Sequence, residues 1–237
     1  MDDPLAQAEF WGLIARALGV IVLLLLASVA VRRRIAETNG GIIPDEGVTI
    51  RNAMEVIVEG LTGLAKTTMG PEWKKWFPFV GAMFFFILIG NLLGLIPGLA
   101  GLTDNVNTAA AWAIISYVLF NYIGIREHGI KNYLIKYMGP SFYTWHVGGK
   151  HVHVRPLFFL FFPLETILDA VRMVTLTIRL IANMFADHAV VAAFLLIVPF
   201  GVPAIFIGLG MLVCVLQAFV FSLLTMIYIN MALQEAH

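Results

Sequence analysis

The chain has 237 residues, 60% of them hydrophobic and only 13% charged, far from the roughly one-quarter charged content of soluble domains. Fifteen Lys and Arg balance fifteen Asp and Glu, which excludes the one-signed basic field that holds nucleic acid. The single cysteine, Cys214, lies inside an apolar run, which excludes a disulfide framework and a CxxC redox pair.

The first apolar run, Phe10 to Val31, is preceded by Asp2, Asp3 and Glu9 and followed by Arg32, Arg33 and Arg34. That is the charge pattern of a retained helix with its C-terminal end in the cytoplasm, not of a cleaved secretory leader. Its length, about 22 residues at about 1.5 Å each, matches a hydrocarbon core about 30 Å thick. Arg16, its one charge, is placed to snorkel toward the outer interface. Over 48–68 the pattern changes: Arg51, Glu55, Glu59, Thr62 and Lys66 recur at helical spacing, with Met54, Ile57, Val58, Leu61 and Leu64 elsewhere around the helix. This predicts an amphipathic helix lying on the membrane surface.

Trp76 to Pro97 reads as a second span and Thr108 to Ile125 as a third. The linker between them holds Asp104 but no Lys or Arg, whereas Lys74, Lys75, Arg126, Lys131, Lys136, Lys150 and Arg155 flank the opposite ends. The positive-inside rule then puts the linker outside, the N-terminus outside and the C-terminus in the cytoplasm. Gly90 and Gly94 form a small-xxx-small pair that permits close helix approach.

The last third reads as two long helices, 157–198 and 202–233, with Pro199, Gly201 and Pro203 marking a tight turn between them. About 54 Å from Pro163 to Val198 and about 48 Å for the second arm both exceed the bilayer core, so the arms are expected to be steeply tilted and laid against a partner surface. The expected fold is therefore an all-α integral membrane protein forming a single domain over 1–237. It has three spans, one surface helix and a tilted helical hairpin. No internal repeat is evident.

Within the first arm sit Glu165, Asp169, Arg172, Arg179, Asn183, Asp187 and His188, and charges at membrane depth call for a functional explanation. At about 100° per residue, with Arg179 at zero, Arg172 falls near 20°, Glu165 and Asn183 near 40°, and Asp169 and Asp187 near 80°. Six polar residues share one sector, and His188 falls near 180°, toward another helix of the chain. Asp169 and Arg172 are spaced to form a structural ion pair. Arg179 has no such neighbour: the position one turn on is the neutral Asn183, and Asp187 is about 12 Å away along the axis. On the second arm Gln217 and Tyr228 lie about 20° apart, flanked by Cys214 and Thr225, and with the first arm they are placed to line a hydrated path.

Two look-alikes are set aside. Residues 60–67, Gly-Leu-Thr-Gly-Leu-Ala-Lys-Thr, nearly spell a phosphate-binding loop, but Ala65 replaces the second glycine and no strand precedes it. His146, His151 and His153 share a loop with Lys150 and Arg155, and no Cys or acid completes a metal set, so solvated loop is the expectation. A self-contained secondary transporter would also hold charges at mid-membrane, but its paired repeats and broken helices are not evident.

The motifs Arg179-Leu-Ile-Ala-Asn183-Met-Phe-Ala, Leu216-Gln217-Ala-Phe219-Val-Phe221 and Met226-Ile-Tyr228, with Asn91-Leu-Leu-Gly-Leu-Ile-Pro97 and Asn105-Val-Asn107-Thr, resemble subunit a of the F-type ATP synthase. The resemblance runs from about Trp76 to the C-terminus. It implies a non-catalytic stator that passes protons, or sodium ions in some relatives, between two aqueous half-channels and the carboxylates of a rotating ring of c subunits. It also implies b subunits of a peripheral stalk, an indirectly attached catalytic head, a bacterial plasma membrane, and neither cofactor nor metal.

Carried over residue by residue, Arg179 matches the essential arginine, Asn183 and Gln217 match polar residues beside it, and Glu165 matches the acid of the cytoplasmic access path. His188 stands where relatives carry Glu or His on the external path, and Asp169, Arg172, Tyr228 and Asn91 are candidate supports. Two positions depart from the pattern: Asp187 stands where glycine is common, and Gly210 where many members have a titratable residue. The expectation is that Asp187 and His188 together form the external relay.

Overall fold

The computed structural model describes residues 4–37, 49–96, 101–102, 105–136, 143–147, 150–154, 158–197 and 201–234. Six α-helices follow in chain order: α1 (Pro4–Glu37), α2 (Ile50–Met69), α3 (Trp73–Gly94), α4 (Val106–Lys136), α5 (Phe158–Ile197) and α6 (Val202–Leu233). A 3-10 turn (Gly70–Glu72) joins α2 to α3, and two strands, β1 (Tyr143–Val147) and β2 (Lys150–Val154), lie between α4 and α5. Five helical stretches are long and apolar enough to cross a membrane: Phe10–Arg33, Arg51–Gly94, Val106–Ile130, Ile167–Ile197 and Val202–Leu233. These are the stretches found among the described residues, and the second of them runs over both α2 and α3.

Contacts group the chain into two compact units, Met1–Ala109 with Leu180–Ile227, and Ala110–Arg179 with Tyr228–His237. In the first, α1 and α2 both pack on α3. Helix α2 starts at Thr49, whose extended backbone and side-chain oxygen make a helix cap, with Asn52 N–H donating to Thr49 Oγ1 at 3.3 Å. It stops at Gly70, whose φ of 65° lets its N–H reach back to Lys66 O, a conformation a side chain would oppose. Residues 60–67 are interior helix, so their backbone N–H groups are committed to the helix ladder and cannot cradle a phosphate.

The polar face expected for α2 needs one correction. Arg51 is buried, 1% exposed, together with Leu61, Ala65 and Met69, and its Nε donates to Glu55 Oε1 at 2.8 Å. Arg51 and Met69 are 18 residues apart, about five turns, and so share one angular position at the border of the apolar face. The long stem and a carboxylate one turn on allow the guanidinium to be covered there.

Close packing in this unit depends on missing side chains. At Gly94 an added Cβ would lie 2.7 Å from Met184 Cε and 3.0 Å from Gly101 Cα, so glycine there permits the close approach of α5 to the end of α3. Near the hairpin tip Phe194 and Phe206 stack with ring centroids 4.3 Å apart, and Gly201, with φ of 85°, opens α6.

In the second unit, α4 runs well past the expected end at Ile125 and changes direction at Gly129, whose φ of 75° and ψ of 156° are not helical. The piece beyond the kink is tied back by Tyr133, which is buried and donates to Asn121 Oδ1 at 2.8 Å; its ring occupies the space a side chain at Gly124 would need. His128 Nε2 lies 3.0 Å from Ala232 O, joining this corner to the end of α6. The segment expected as a solvated loop instead forms an antiparallel β1–β2 pair, with Tyr143 opposite Val154 and His146 opposite His151. The helical class expected for the chain holds, and this short pair corrects only the loop expectation: apolar and polar residues alternate there, which suits a strand pair.

Candidate ion path

The site residues fall in two groups, one in each unit. In the first, α5 and α6 meet through Asn183, whose Nδ2 donates to Gln217 Oε1 at 2.9 Å. Gln217 is 5% exposed, and its own Nε2 is buried without a hydrogen-bond partner among the described residues. The amide pair therefore holds the two arms in register while leaving a donor unfilled. Ser222 Oγ, in the following part of α6, is likewise buried and without a partner. Thr225 is satisfied by its own helix, donating to Phe221 O at 3.0 Å.

One turn beyond Asn183, Asp187 Oδ2 is buried with no hydrogen-bond partner among the described residues. It lies against α6 at Gly210, where an added Cβ would come within 2.7 Å of Oδ2 and 2.8 Å of Leu95 Cδ2. The carboxyl of α5 thus occupies the volume that a side chain at Gly210 would fill. An unpartnered buried carboxyl oxygen is costly, and such groups are common where function needs them.

His188, on the opposite side of the helix, reaches α3: its Nε2 is 2.9 Å from Gly94 O. A carbonyl only accepts, so Nε2 carries the hydrogen in this contact. Asn91 is fully buried on α3, one turn before Gly94.

In the second unit Arg172 Nη1 donates to Asp169 Oδ1 at 2.9 Å. The Asp169 side chain is 8% exposed and that of Arg172 is 35% exposed. The guanidinium also lies over Tyr228, its Cζ 5.5 Å from the ring centroid, and Phe120 packs against the same ring with centroids 6.0 Å apart. Arg172 is thereby neutralised and boxed in.

Arg179 differs. It is half-buried, and among the described residues no carboxylate forms an ion pair with it. The α5 surface beside it carries exposed Thr175, Ala182 and Ala186, then Val171, Ile178 and Phe185, an apolar and partly small-residue face next to a fixed positive charge. Glu165 lies on α5, but its side chain is outside the described residues, as are those of His146, His151 and His153. Among the described residues no group of three His, Cys, Asp or Glu is arranged to hold a metal ion.

Residues 13–230 match the model of the ATP synthase A chain family. The chain belongs to the ATP synthase subunit a family. It is 39% identical to the ATP synthase subunit a of Trichlorobacter lovleyi over 92% of this chain and 85% of that protein. It is 35% identical to that of Bdellovibrio bacteriovorus over 88% and 85%, and 37% identical to that of Geotalea daltonii over 92% and 86%. With its five apolar helical stretches, this member of the subunit a family is a multi-pass membrane protein of an ATP synthase.

Sequence reading had placed Asn183, Gln217, Asp187 and His188 in the site, and the structure joins the first two directly and puts the others within the same unit. It had missed Ser222 as a buried hydroxyl. A lone serine in an apolar helix is the signal that was available, since its alternative is a hydroxyl bonded to its own helix.

Proposed function

We propose that this subunit translocates protons as the stator of an F-type ATP synthase, with Arg179 facing the carboxylates of a rotating c-ring. The observation that carries the reading is a half-buried arginine without a carboxylate partner among the described residues, next to an exposed and mostly apolar surface of α5. Arginine stays charged at any working pH, so it favours the ionised form of each ring carboxylate that comes opposite it. The proton must therefore leave before the carboxylate passes. The same fixed charge opposes direct proton passage between the two half-channels, so current is forced through rotation.

On the external side, the relay consists of Asp187, seated in the space left by Gly210, and His188, whose Nδ1 exchanges the proton. Asn183 and Gln217 hold the arms together and offer donors to water, and Glu165 serves the cytoplasmic access path. Buried polar atoms without protein partners, as at Gln217 and Ser222, are where internal water belongs. Arg172, Asp169 and Tyr228 support the hairpin, and Asn91 supports α3. The N-terminus lies outside and the C-terminus in the cytoplasm of a bacterial plasma membrane, α2 lies on the membrane surface, and α5 and α6 are the tilted arms. Peripheral-stalk b subunits and the catalytic head complete the assembly.

The test is ATP-driven and passive proton flux in vesicles carrying the assembled complex. Replacing Arg179 by alanine is expected to abolish pumping while the complex still assembles; undiminished pumping removes Arg179 from the mechanism. Repeating the native measurement in sodium-free and sodium-rich media separates proton from sodium coupling, since only a sodium motor stops without sodium.

A further inference from the structure

The corner where α2 ends and α3 begins gathers cations around two indoles. Lys66, in the last turn of α2, places Nζ 5.2 Å from the centre of the Trp73 ring, and Lys74, in the first turn of α3, places its Nζ 5.9 Å from the same ring. Lys75 lies 5.2 Å over Trp76, and Trp73 packs edge-on against Phe77 at 5.8 Å. The carboxylate at this corner, Glu72, sits 3.8 Å from Lys75. Among the described residues, Lys66 and Lys74 have no carboxylate partner.

Two ammonium groups drawn to one aromatic ring repel each other, and each ring contact contributes only modestly at an exposed site. An anion within reach of both cations would relieve that repulsion. Its place in the chain limits what that anion is. Tryptophan favours the membrane interface, Trp73 and Trp76 stand at the start of α3, and the lysines beside them carry exposed side chains.

We infer that Lys66, Lys74 and the Trp73 face form a binding site for the phosphate of an anionic phospholipid of the cytoplasmic leaflet, Lys75 lying beside it. Basic clusters at this depth attract anionic lipid, and the indoles supply the apolar wall against which the glycerol and upper acyl chain lie. The site lies outside the ion path, on a different helix pair from Arg179, Asn183 and Gln217. A phospholipid there would pin the α2–α3 corner to the membrane surface.

The test uses the purified complex, stripped of loosely held lipid and then offered phosphatidylglycerol or phosphatidylcholine in detergent, with retained lipid counted by mass spectrometry. The native complex is expected to retain phosphatidylglycerol in preference to phosphatidylcholine. The double variant Lys66→Gln with Lys74→Gln should hold one such lipid per complex about 30-fold more weakly, and Lys66→Arg with Lys74→Arg should keep it. Equal retention by the native and glutamine forms, or no preference of the native complex for the anionic lipid, overturns the assignment; the second arm stands even if the variant fails to assemble. Displacement of the lipid by inorganic phosphate beyond that caused by chloride at equal ionic strength would instead assign the cluster to free phosphate.

Discussion

Arg172 and Arg179 are two turns apart on α5, yet their surroundings differ in kind. Arg172 has a buried carboxylate at 2.9 Å and an aromatic face under its guanidinium; Arg179 has no carboxylate partner among the described residues. The same contrast holds for the polar groups of the two units. Around Asp169 they satisfy one another, whereas Asp187, Gln217 and Ser222 each bury an atom without a hydrogen-bond partner among the described residues. Satisfied charge stabilises a fold; charge and polarity left unfilled are available to a moving ion and its water. Composition alone does not separate the two, because both regions read as polar residues in an apolar helix.

The contrast sharpens under substitution. After Arg179 itself, the largest expected effect is at Asp187: Asp187→Asn keeps the shape but removes the exchangeable carboxyl, and coupled flux should fall about tenfold or more. Unchanged flux would exclude Asp187 from the relay. Gly210→Ala comes next, since the added Cβ would lie 2.7 Å from Asp187 Oδ2 and must displace the carboxyl. Flux should fall several-fold while assembly, followed by co-purification of the other subunits, is retained. Native flux would mean that the placement of Asp187 does not matter.

Gln217→Leu strips the acceptor from Asn183 and leaves its Nδ2 buried without a partner, a cost of about 1 to 3 kcal/mol, and a reduction of flux with lowered thermal stability is expected. Smallest of all on flux is Asp169→Asn. Its partner is a third exposed, so losing the pair should cost only about 1 kcal/mol, visible as a slightly lower melting temperature of the complex with most of the pumping intact. A loss of pumping as large as that from Asp187→Asn would erase the distinction between the two regions.

Most of the helices were legible because apolar runs of bilayer length leave few alternatives. What escaped depended on contacts between distant residues. The end of α4 could not be read at Ile125, because Arg126 and Glu127 look like a loop start, whereas His128 is tied to Ala232 across the unit. Arg51 looked solvated because its burial depends on where α2 meets α3. The β1–β2 pair was readable in principle, since Gly148-Gly149 separates two alternating runs, but the same histidines and basic residues equally suit the solvated loop that was expected. In the site, helical spacing placed the Asp169–Arg172 pair. Spacing on one helix could not show that Gln217 meets Asn183, that His188 meets Gly94, or that the absence of a side chain at Gly210 is what makes room for Asp187.

The most direct test sets the two arginines side by side: ATP-driven acidification of vesicles carrying assembled complexes with Arg179→Ala or Arg172→Ala. A charge facing a ring carboxylate at about 4 Å is worth about 4 kcal/mol at an effective dielectric of 20, so the Arg179 variant should lose pumping to below about one-hundredth of native, whereas the Arg172 variant keeps the larger part of it. Equal losses in the two variants, or pumping that survives without Arg179, would contradict a path that turns on the unpaired arginine.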